Sequence, residues 1–380
     1  MRLLILASEF PPGPGGIGTH AYQLAHQLCR LVWEVTVIAK QDYASPVELA
    51  TFNSQQAFTV LPVPNALAKP LDALNRWRIA RKSIAQHRPN LILGTGDRSV
   101  WVAAAARGST PGVAIGHGSE FGLKGWQRVV TQWAFGRMDH VICVSDFTRK
   151  YMLKEGFKPQ SVSVLPNGAD HTHLFPLPQE TVCAFRKDRG WEQCKLLLTV
   201  GHVSERKGQR VVIEALPHIL QKVPNVHYLI AGLPSLKEEF SSLASRLGVE
   251  PNVHFLGQVS QEQLRLLYNV CDVFVMTSQH TQGGDFEGYG IAAVEAALCG
   301  KPAVVSGDSG LAEAVIEGQT GLIVPQRDPR ATADAIVALL SDEVMREEYG
   351  NNARIRAVTE QTWESRAKSY DLLFRQIIQS

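Results

Sequence analysis

The chain has 380 residues, 45% of them hydrophobic and 19% charged, with 31 Gly, 20 Pro and a formal net charge of +2. That length exceeds what one hydrophobic core usually serves and favours two domains, and the composition excludes disordered, collagenous and coiled-coil proteins. The charge is uneven: residues 1–175 carry 18 basic and 11 acidic side chains, the remainder 20 and 25, so the first half suits an anionic partner better than the second.

Short β-rich apolar runs alternate with helical stretches, the pattern of a doubly wound parallel sheet. Strands are expected near 3–7, 33–39, 58–63, 91–94, 112–116, 140–144 and 161–165, and a second set near 196–201, 225–231, 252–256, 272–276, 302–306 and 321–324. The Pro- and Gln-rich, weakly periodic segment between them reads as a linker. The expected organisation is a first Rossmann-like α/β domain over 1–172, a linker over 173–194 and a second such domain over 195–362. Helical pattern alone follows Pro325, at 331–340, 343–357 and 363–378, and the last helix is expected to complete the first domain. Ligands of two such sheets bind at their carboxyl edges, here a cleft between the domains. Six scattered cysteines without a C-x-x-C pair argue against disulfides or zinc and for a reducing cytosol. Leu3–Ala7 is too short for a signal core, and no run approaches the roughly 18 apolar residues of a membrane span.

Several segments carry chemistry. Gly13-Pro14-Gly15-Gly16-Ile17-Gly18 formally satisfies G-x-G-x-x-G before a helix, where amides can approach phosphate. It starts late after the first strand, and the second strand ends at Lys40 instead of an acidic ribose reader, a poor fit to NAD(P) binding. His117, flanked by Gly116 and Gly118 at a strand's carboxyl end, suits a sugar hydroxyl. Gly201 to Gly208 places Arg206 and Lys207 between strand and helix, where paired cations can hold a diphosphate and offset its charge as it leaves. Lys-Arg pairs are otherwise ordinary surface charge. In Glu287-Gly288-Tyr289-Gly290-Ile291-Ala292-Ala293-Val294-Glu295 two carboxylates stand eight residues apart around glycines that open a helix. Free amides of Tyr289, Gly290 and Ile291 suit phosphate or sugar, and Glu295, set in an apolar helix, suits the ribose hydroxyls. The competing reading is an amphipathic helix with N-terminal acids.

Two stretches bear on membranes. Residues 69–88 hold Lys69, Arg76, Arg78, Arg81, Lys82 and Arg88 against Asp72, with Leu67, Leu71, Leu74 and Trp77 at helical spacing; Lys124, Trp126, Arg128, Trp133 and Arg137 form a second. Basic amphipathic helices with Trp can rest on anionic lipid, and a solvated basic face over a core-facing stripe is the alternative.

Taken in order, these segments resemble the retaining, nucleotide-sugar-dependent glycosyltransferases of the GT-B fold, glycosyltransferase family four. Gly15-Gly16, Val144-Ser145-Asp146-Phe147-Thr148, Pro166-Asn167-Gly168-Ala169-Asp170 and Arg206-Lys207-Gly208 carry the resemblance. So do Asp272-Val273-Phe274-Val275, the E-x7-E pair Glu287 and Glu295, Glu313-Ala314-Val315 and Gly318-Gln319-Thr320-Gly321. The resemblance implies that Arg206 and Lys207 hold the donor diphosphate and Glu295 the ribose. Glu287 and the amides of Gly290 and Ile291 meet sugar and phosphate in the second domain, which binds the donor, while His117 and Gly15-Gly16 line the cleft from the first, which binds the acceptor. It also implies no protein nucleophile and no general base, the leaving phosphate taking the acceptor proton. No D-x-D triplet occurs, consistent with metal independence, and no cofactor is expected besides the donor substrate. The sequence departs from the family pattern at Gly310-Leu311, where relatives carry a second glycine, and at Tyr289, where Phe is frequent.

The loop Gly283 to Gly288 resembles that of bacterial phosphatidylinositol mannosyltransferases, favouring GDP-mannose over UDP-sugars without excluding them. The expected partners are a nucleotide-sugar donor, a hydroxyl acceptor that is lipid or lipid-linked, and an anionic membrane at its cytoplasmic face, with no nucleic acid. An NAD(P)-dependent oxidoreductase, a nucleotide-sugar epimerase or hydrolase, and a non-catalytic sugar-nucleotide-binding regulator are the competing readings.

Overall fold

The computed structural model describes residues 1–13, 15–41, 43–64 and 69–379. Pro14 and Leu67 lie outside the described residues, as do the side chains of Lys69 and Leu71. The chain divides into two compact units, one of Met1–Gly168 with Trp363–Ser380 and one of Ala169–Thr362.

The first unit alternates β1 (Arg2–Ala7), α1 (Gly16–Arg30), β2 (Glu34–Ala39), α2 (Pro46–Ser54), β3 (Thr59–Pro62), α3 (Lys69–His87), β4 (Leu91–Thr95) and α4 (Asp97–Ala106). It continues with β5 (Gly112–Gly116), α5 (Gly125–Arg137), β6 (His140–Cys143), α6 (Asp146–Lys154) and β7 (Val162–Val164). The strands form one parallel sheet in the order β3-β2-β1-β4-β5-β6-β7. Leu3 to Ala7, Leu91 to Leu93 and Val113 to Ile115 are buried on both faces, as unbroken apolar runs under helices on either side require.

The second unit holds α7 (Gln179–Asp188), β8 (Lys195–Val200), α8 (Gln209–Lys222), β9 (Val226–Ala231), α9 (Lys237–Arg246), β10 (Val253–Gly257), α10 (Gln261–Val270) and β11 (Val273–Met276). After these come α11 (Ile291–Leu298), β12 (Ala303–Ser306), β13 (Gly321–Val324), α12 (Pro329–Ser341) and α13 (Glu343–Glu360). Its parallel sheet runs β10-β9-β8-β11-β12-β13. In each sheet the winding direction reverses once, between β1 and β4 and between β8 and β11. The loops carrying Gly15-Gly16, His117, Arg206-Lys207 and Glu287 follow β1, β5, β8 and β11 at the carboxyl ends of the sheets, the edge at which this architecture leaves room for ligands.

The segment 173–194, expected as a linker, is part of the second unit. Its Pro- and Gln-rich composition conceals the helix α7, which is anchored by Arg186: Nη2 pairs with Asp272 Oδ2 at 2.8 Å and Nε donates to the carbonyl of Val270. The amide of Leu177 donates to Asn269 Oδ1 at 2.7 Å. The unit begins at Ala169, whose amide donates to the carbonyl of Gln361.

Helix α14 (Trp363–Gln379) packs on α1 in the first unit. Trp363, Tyr370 and Phe374 are buried there; Phe374 meets Trp33 and Tyr370 edge to face, and Trp33 Nε1 donates to Asp371 Oδ1 at 2.7 Å. Phe374→Ala is expected to cost about 3–5 kcal/mol, the range for a truncated core Phe, read as unfolding free energy in denaturant. A loss below about 1 kcal/mol would show that α14 does not belong to this core.

Candidate active site

In the second unit the site grows from the loops after β8 and β11. A short 3-10 turn, Glu205–Lys207, ends at Gly208, whose φ of +74° and close approach to the carbonyl of Thr277 leave no place for a Cβ. Thr277 Oγ1 donates to the carbonyl of Gly208 at 2.8 Å, and the amide of Gln279 donates to the carbonyl of Arg206 at 2.8 Å. These bonds stitch the loops together and set Arg206 and Lys207 opposite Glu287.

Arg206 Nη1 and Lys207 Nζ both pair with Glu287 Oε2, at 2.5 and 2.6 Å, and Arg206 Nε pairs with Asp285 Oδ2 at 3.0 Å. Burial opposes ionisation of Glu287, but the charges of Lys207 and Arg206 overcome it and hold the carboxyl down to about 2. Burial likewise pulls the Lys207 ammonium below its usual range, an effect that Glu287 partly offsets. Two desolvated cations are therefore kept charged by one carboxylate, since a buried charge without a partner is costly. Gly201 precedes the turn with φ +149°, and a Cβ there would crowd Lys207 Cε at 3.2 Å.

The loop 279–286 is tied down by side chains: Arg327 Nε donates to Gln279 Oε1 at 3.2 Å, and the ring of His280 bonds the carbonyl of Asp308 at 2.8 Å. Gly290, at φ +82°, is the N-cap of α11 and lies against Leu311, at the position where the sequence departs from the family pattern. No side chain caps this helix, so the Ile291 end presents amides. The side chain of Tyr289 is buried and accepts from Gln361 Nε2 at 3.1 Å, so that residue can offer a ligand only its backbone. Glu295 lies one turn into α11 and accepts a 2.6 Å hydrogen bond from the hydroxyl of Tyr268. Burial raises its carboxyl above the usual range, and the Tyr268 bond works against that.

In the first unit, Gly15, at φ +142°, abuts the carboxylate of Glu9, while Gly16 has open space where a Cβ would be. His117 follows β5: its Nε2 bonds Thr95 Oγ1 at 2.8 Å, and its ring meets that of His20 edge to face at 5.1 Å. Both oxygens of Glu120 hold this loop, accepting from the amides of His117 at 2.6 Å and Gly118 at 2.8 Å. Burial lowers the His117 imidazole to about 4 and raises the Glu120 carboxyl to about 7. His117 is a neutral hydrogen-bonding group at physiological pH, which suits a hydroxyl partner.

Sequence reasoning assembled Arg206, Lys207, Glu287 and Glu295 but missed Asp285 and Tyr268. Asp285 lies in the glycine-rich loop and has a readable charge. Tyr268 gives no sign beyond its place on a helix. Among the basic residues of α3, Arg76 is not part of a solvated face: it is buried, pairs with Asp72 at 3.2 Å and reaches Ser99. Arg78, Arg81, Lys82 and Arg88 are exposed, as are Leu74 and Trp77. Helix α4 packs between α3 and α5, and α5 exposes Trp126, Val129 and Trp133 by 68%, 65% and 48%. No helix of the described residues is long and apolar enough to cross a membrane.

Two family models match the chain: Glycosyltransferase Family 4 over residues 14–173 and Glycosyl transferases group 1 over 184–356. A phosphatidyl-myo-inositol mannosyltransferase of Mycobacterium leprae is 30% identical over 354 residues, covering 88% of this chain and 86% of its own. The chain belongs to this glycosyltransferase family. A GDP-mannose-dependent alpha-(1-6)-phosphatidylinositol monomannoside mannosyltransferase of Mycolicibacterium smegmatis is 28% identical over 381 residues, 96% of each chain. Among solved structures, Anabaena Alr3699/HepE in complex with UDP and glucose superposes with a TM-score of 0.83 at 21% identity, covering 99% of this chain and 100% of that one. The fold is therefore GT-B, and this glycosyltransferase carries its cation pair and its E-x7-E carboxylates in the group 1 half.

His117 makes stability depend on pH. The folded unit resists protonating a ring that the unfolded chain protonates near 6.5, so its contribution is complete above about 6.5 and is lost as pH falls through about 4. The full effect is about 3 kcal/mol. In urea titrations, His117→Gln is expected to flatten the decline of stability between pH 6.5 and 4, and an unchanged decline would remove the buried neutral histidine.

Proposed function

We propose that this glycosyltransferase moves mannose from GDP-mannose to a hydroxyl of a phosphatidylinositol-type lipid, with the anomeric configuration kept and without a metal ion. The observation that carries the reading is the half-buried pair Arg206 and Lys207 on Glu287, beside the uncapped amides of α11. The mannosyltransferase relatives supply the donor and the acceptor class.

Arg206 and Lys207 take the donor diphosphate in place of a cation cofactor, and the amides of Gly290 and Ile291 add donors of hydrogen bonds. Both ion pairs of Glu287 fall on Oε2, which leaves Oε1 to accept a sugar hydroxyl. Glu295 accepts from the ribose. As the bond from the anomeric carbon to the phosphate oxygen breaks, charge grows on the diphosphate and the two cations stabilise it. The acceptor oxygen bonds the same face of the anomeric carbon, and its proton passes to the leaving phosphate. His117, neutral and held by Glu120, hydrogen-bonds a hydroxyl from the first unit.

The lipid acceptor accounts for the surface of α3 and α5. Exposed Trp77 on α3 with Arg78, Arg81 and Lys82, and exposed Trp126 and Trp133 on α5, fit an anionic bilayer, the rings entering the interface and the cations meeting headgroups.

Release of GDP from GDP-mannose, stimulated by phosphatidylinositol vesicles and absent with UDP-sugars, is the expected result of a donor and acceptor screen. Stimulation of a UDP-sugar instead would overturn the donor assignment. Lys207→Ala is expected to lower kcat by about 100- to 1000-fold, the cost of one lost transition-state donor, and unchanged kcat would remove that role. Chelator is expected to leave the rate intact, whereas strict dependence on added magnesium would contradict charge neutralisation by Arg206 and Lys207. Trp126→Ala with Trp133→Ala is expected to reduce sedimentation with phosphatidylglycerol vesicles, and unchanged sedimentation would take this face off the membrane.

A further inference from the structure

We infer that Tyr268 is a positioning residue for nucleotide recognition, fixing the Glu295 carboxylate so that one oxygen is committed to the protein and the other is presented to the ribose. The inference rests on the proposed reading of Glu295 as the ribose acceptor.

The geometry is that of a one-sided clamp. Tyr268 is fully buried on α10, so it cannot touch a ligand itself. Its hydroxyl donates to Glu295 Oε2 at 2.6 Å, and this is the one side-chain hydrogen bond of Glu295 among the described residues. The donor is well held. Ser260 caps α10 through a reciprocal bond with Gln263, the helix ends at Cys271, and the ring of Tyr268 lies 6.1 Å from that of Phe274 on β11. A rigid aromatic on a capped helix therefore sets the torsion of a carboxylate on a neighbouring helix.

The same bond controls charge. Lys207 and Asp170 act on Glu295 with opposite signs, and Cys271 and Cys299 lie near the pair. Burial and the neighbouring Glu295 push the Tyr268 phenol far above its usual range, so it stays a donor at every working pH. Without that donor, Glu295 would keep the burial that raises its carboxyl and lose the bond that lowers it. Protonation would then reach it at a higher pH and remove an acceptor that the ribose needs.

The test compares GDP with 2′,3′-dideoxyGDP, by calorimetry on the intact chain, for wild type, Tyr268→Phe and Glu295→Gln. Phe keeps the ring packing and removes only the hydroxyl. In wild type, loss of the ribose hydroxyls is expected to weaken binding about tenfold or more, the scale of a hydrogen bond to a charged group. That ratio should fall toward one in both variants, chiefly through weaker binding of GDP. In Tyr268→Phe the acid limb of GDP binding should also move to higher pH, which a merely structural tyrosine would not cause. A ratio that stays at the wild-type value in Tyr268→Phe but collapses in Glu295→Gln overturns the role of Tyr268 alone. A ratio near one in wild type, or one unmoved by Glu295→Gln, overturns the ribose reading of Glu295 and the inference with it. Should Tyr268→Phe not fold, Tyr268→Leu is measured in the same way with the same two readouts.

Discussion

One carboxylate oxygen, Glu287 Oε2, holds two cations on the second unit, and the chemistry assigned to this chain depends on that arrangement. Arg206 and Lys207 are adjacent in sequence and would repel one another, and both are largely removed from water. Only a partner charge at short range makes such a pair tolerable. Glu287 provides it from a loop about 80 residues away, and Asp285 adds a second contact to Arg206. The result is two cations fixed in place before any substrate arrives, which is the condition under which electrostatic stabilisation of a leaving group requires little reorganisation.

Fold and chemistry meet at the strand ends. The loops after β8 and β11 flank the point where the sheet reverses, so their side chains and amides converge without any need for a dedicated binding domain. Hydrogen bonds from Thr277 and Gln279 to the carbonyls of Gly208 and Arg206 make that convergence rigid. The first unit uses the same logic with different chemistry: His117 and Gly15-Gly16 also follow strands, but they offer a neutral imidazole and backbone amides, with the carboxylate of Glu9 against Gly15. Each unit thus presents the polarity its proposed ligand requires, cations and amides for a diphosphate, hydrogen-bonding neutral groups for hydroxyls.

The thirteen strands of the described residues were legible in the sequence because each is a short, β-rich run, the central ones buried on both faces and the edge strands β3, β7 and β10 only partly covered, with ends shifted by only a residue or so from those expected. The carboxylates and cations were legible because their types and spacing are written locally. What the sequence concealed was pairing at long range. Helix α7 was hidden by its Pro- and Gln-rich surroundings, and what fixes it to the second unit is Arg186 reaching Val270 and Asp272. Spacing alone groups Arg76 with the exposed basic residues of α3, although Asp72 and Ser99 draw it inside. Tyr268 could not be found at all, since a hydroxyl on a buried helical face becomes informative only when Glu295 is seen to receive it.

The most direct measurement of the account is a crystal structure of the protein with GDP bound. The account predicts diphosphate oxygens on the guanidinium of Arg206 and the ammonium of Lys207, and ribose hydroxyls on Glu295 with its bond to Tyr268 intact. A diphosphate seated on the Gly13–Gly18 turn of the first unit, with Arg206 and Lys207 still engaged only by Glu287 and Asp285, would contradict it.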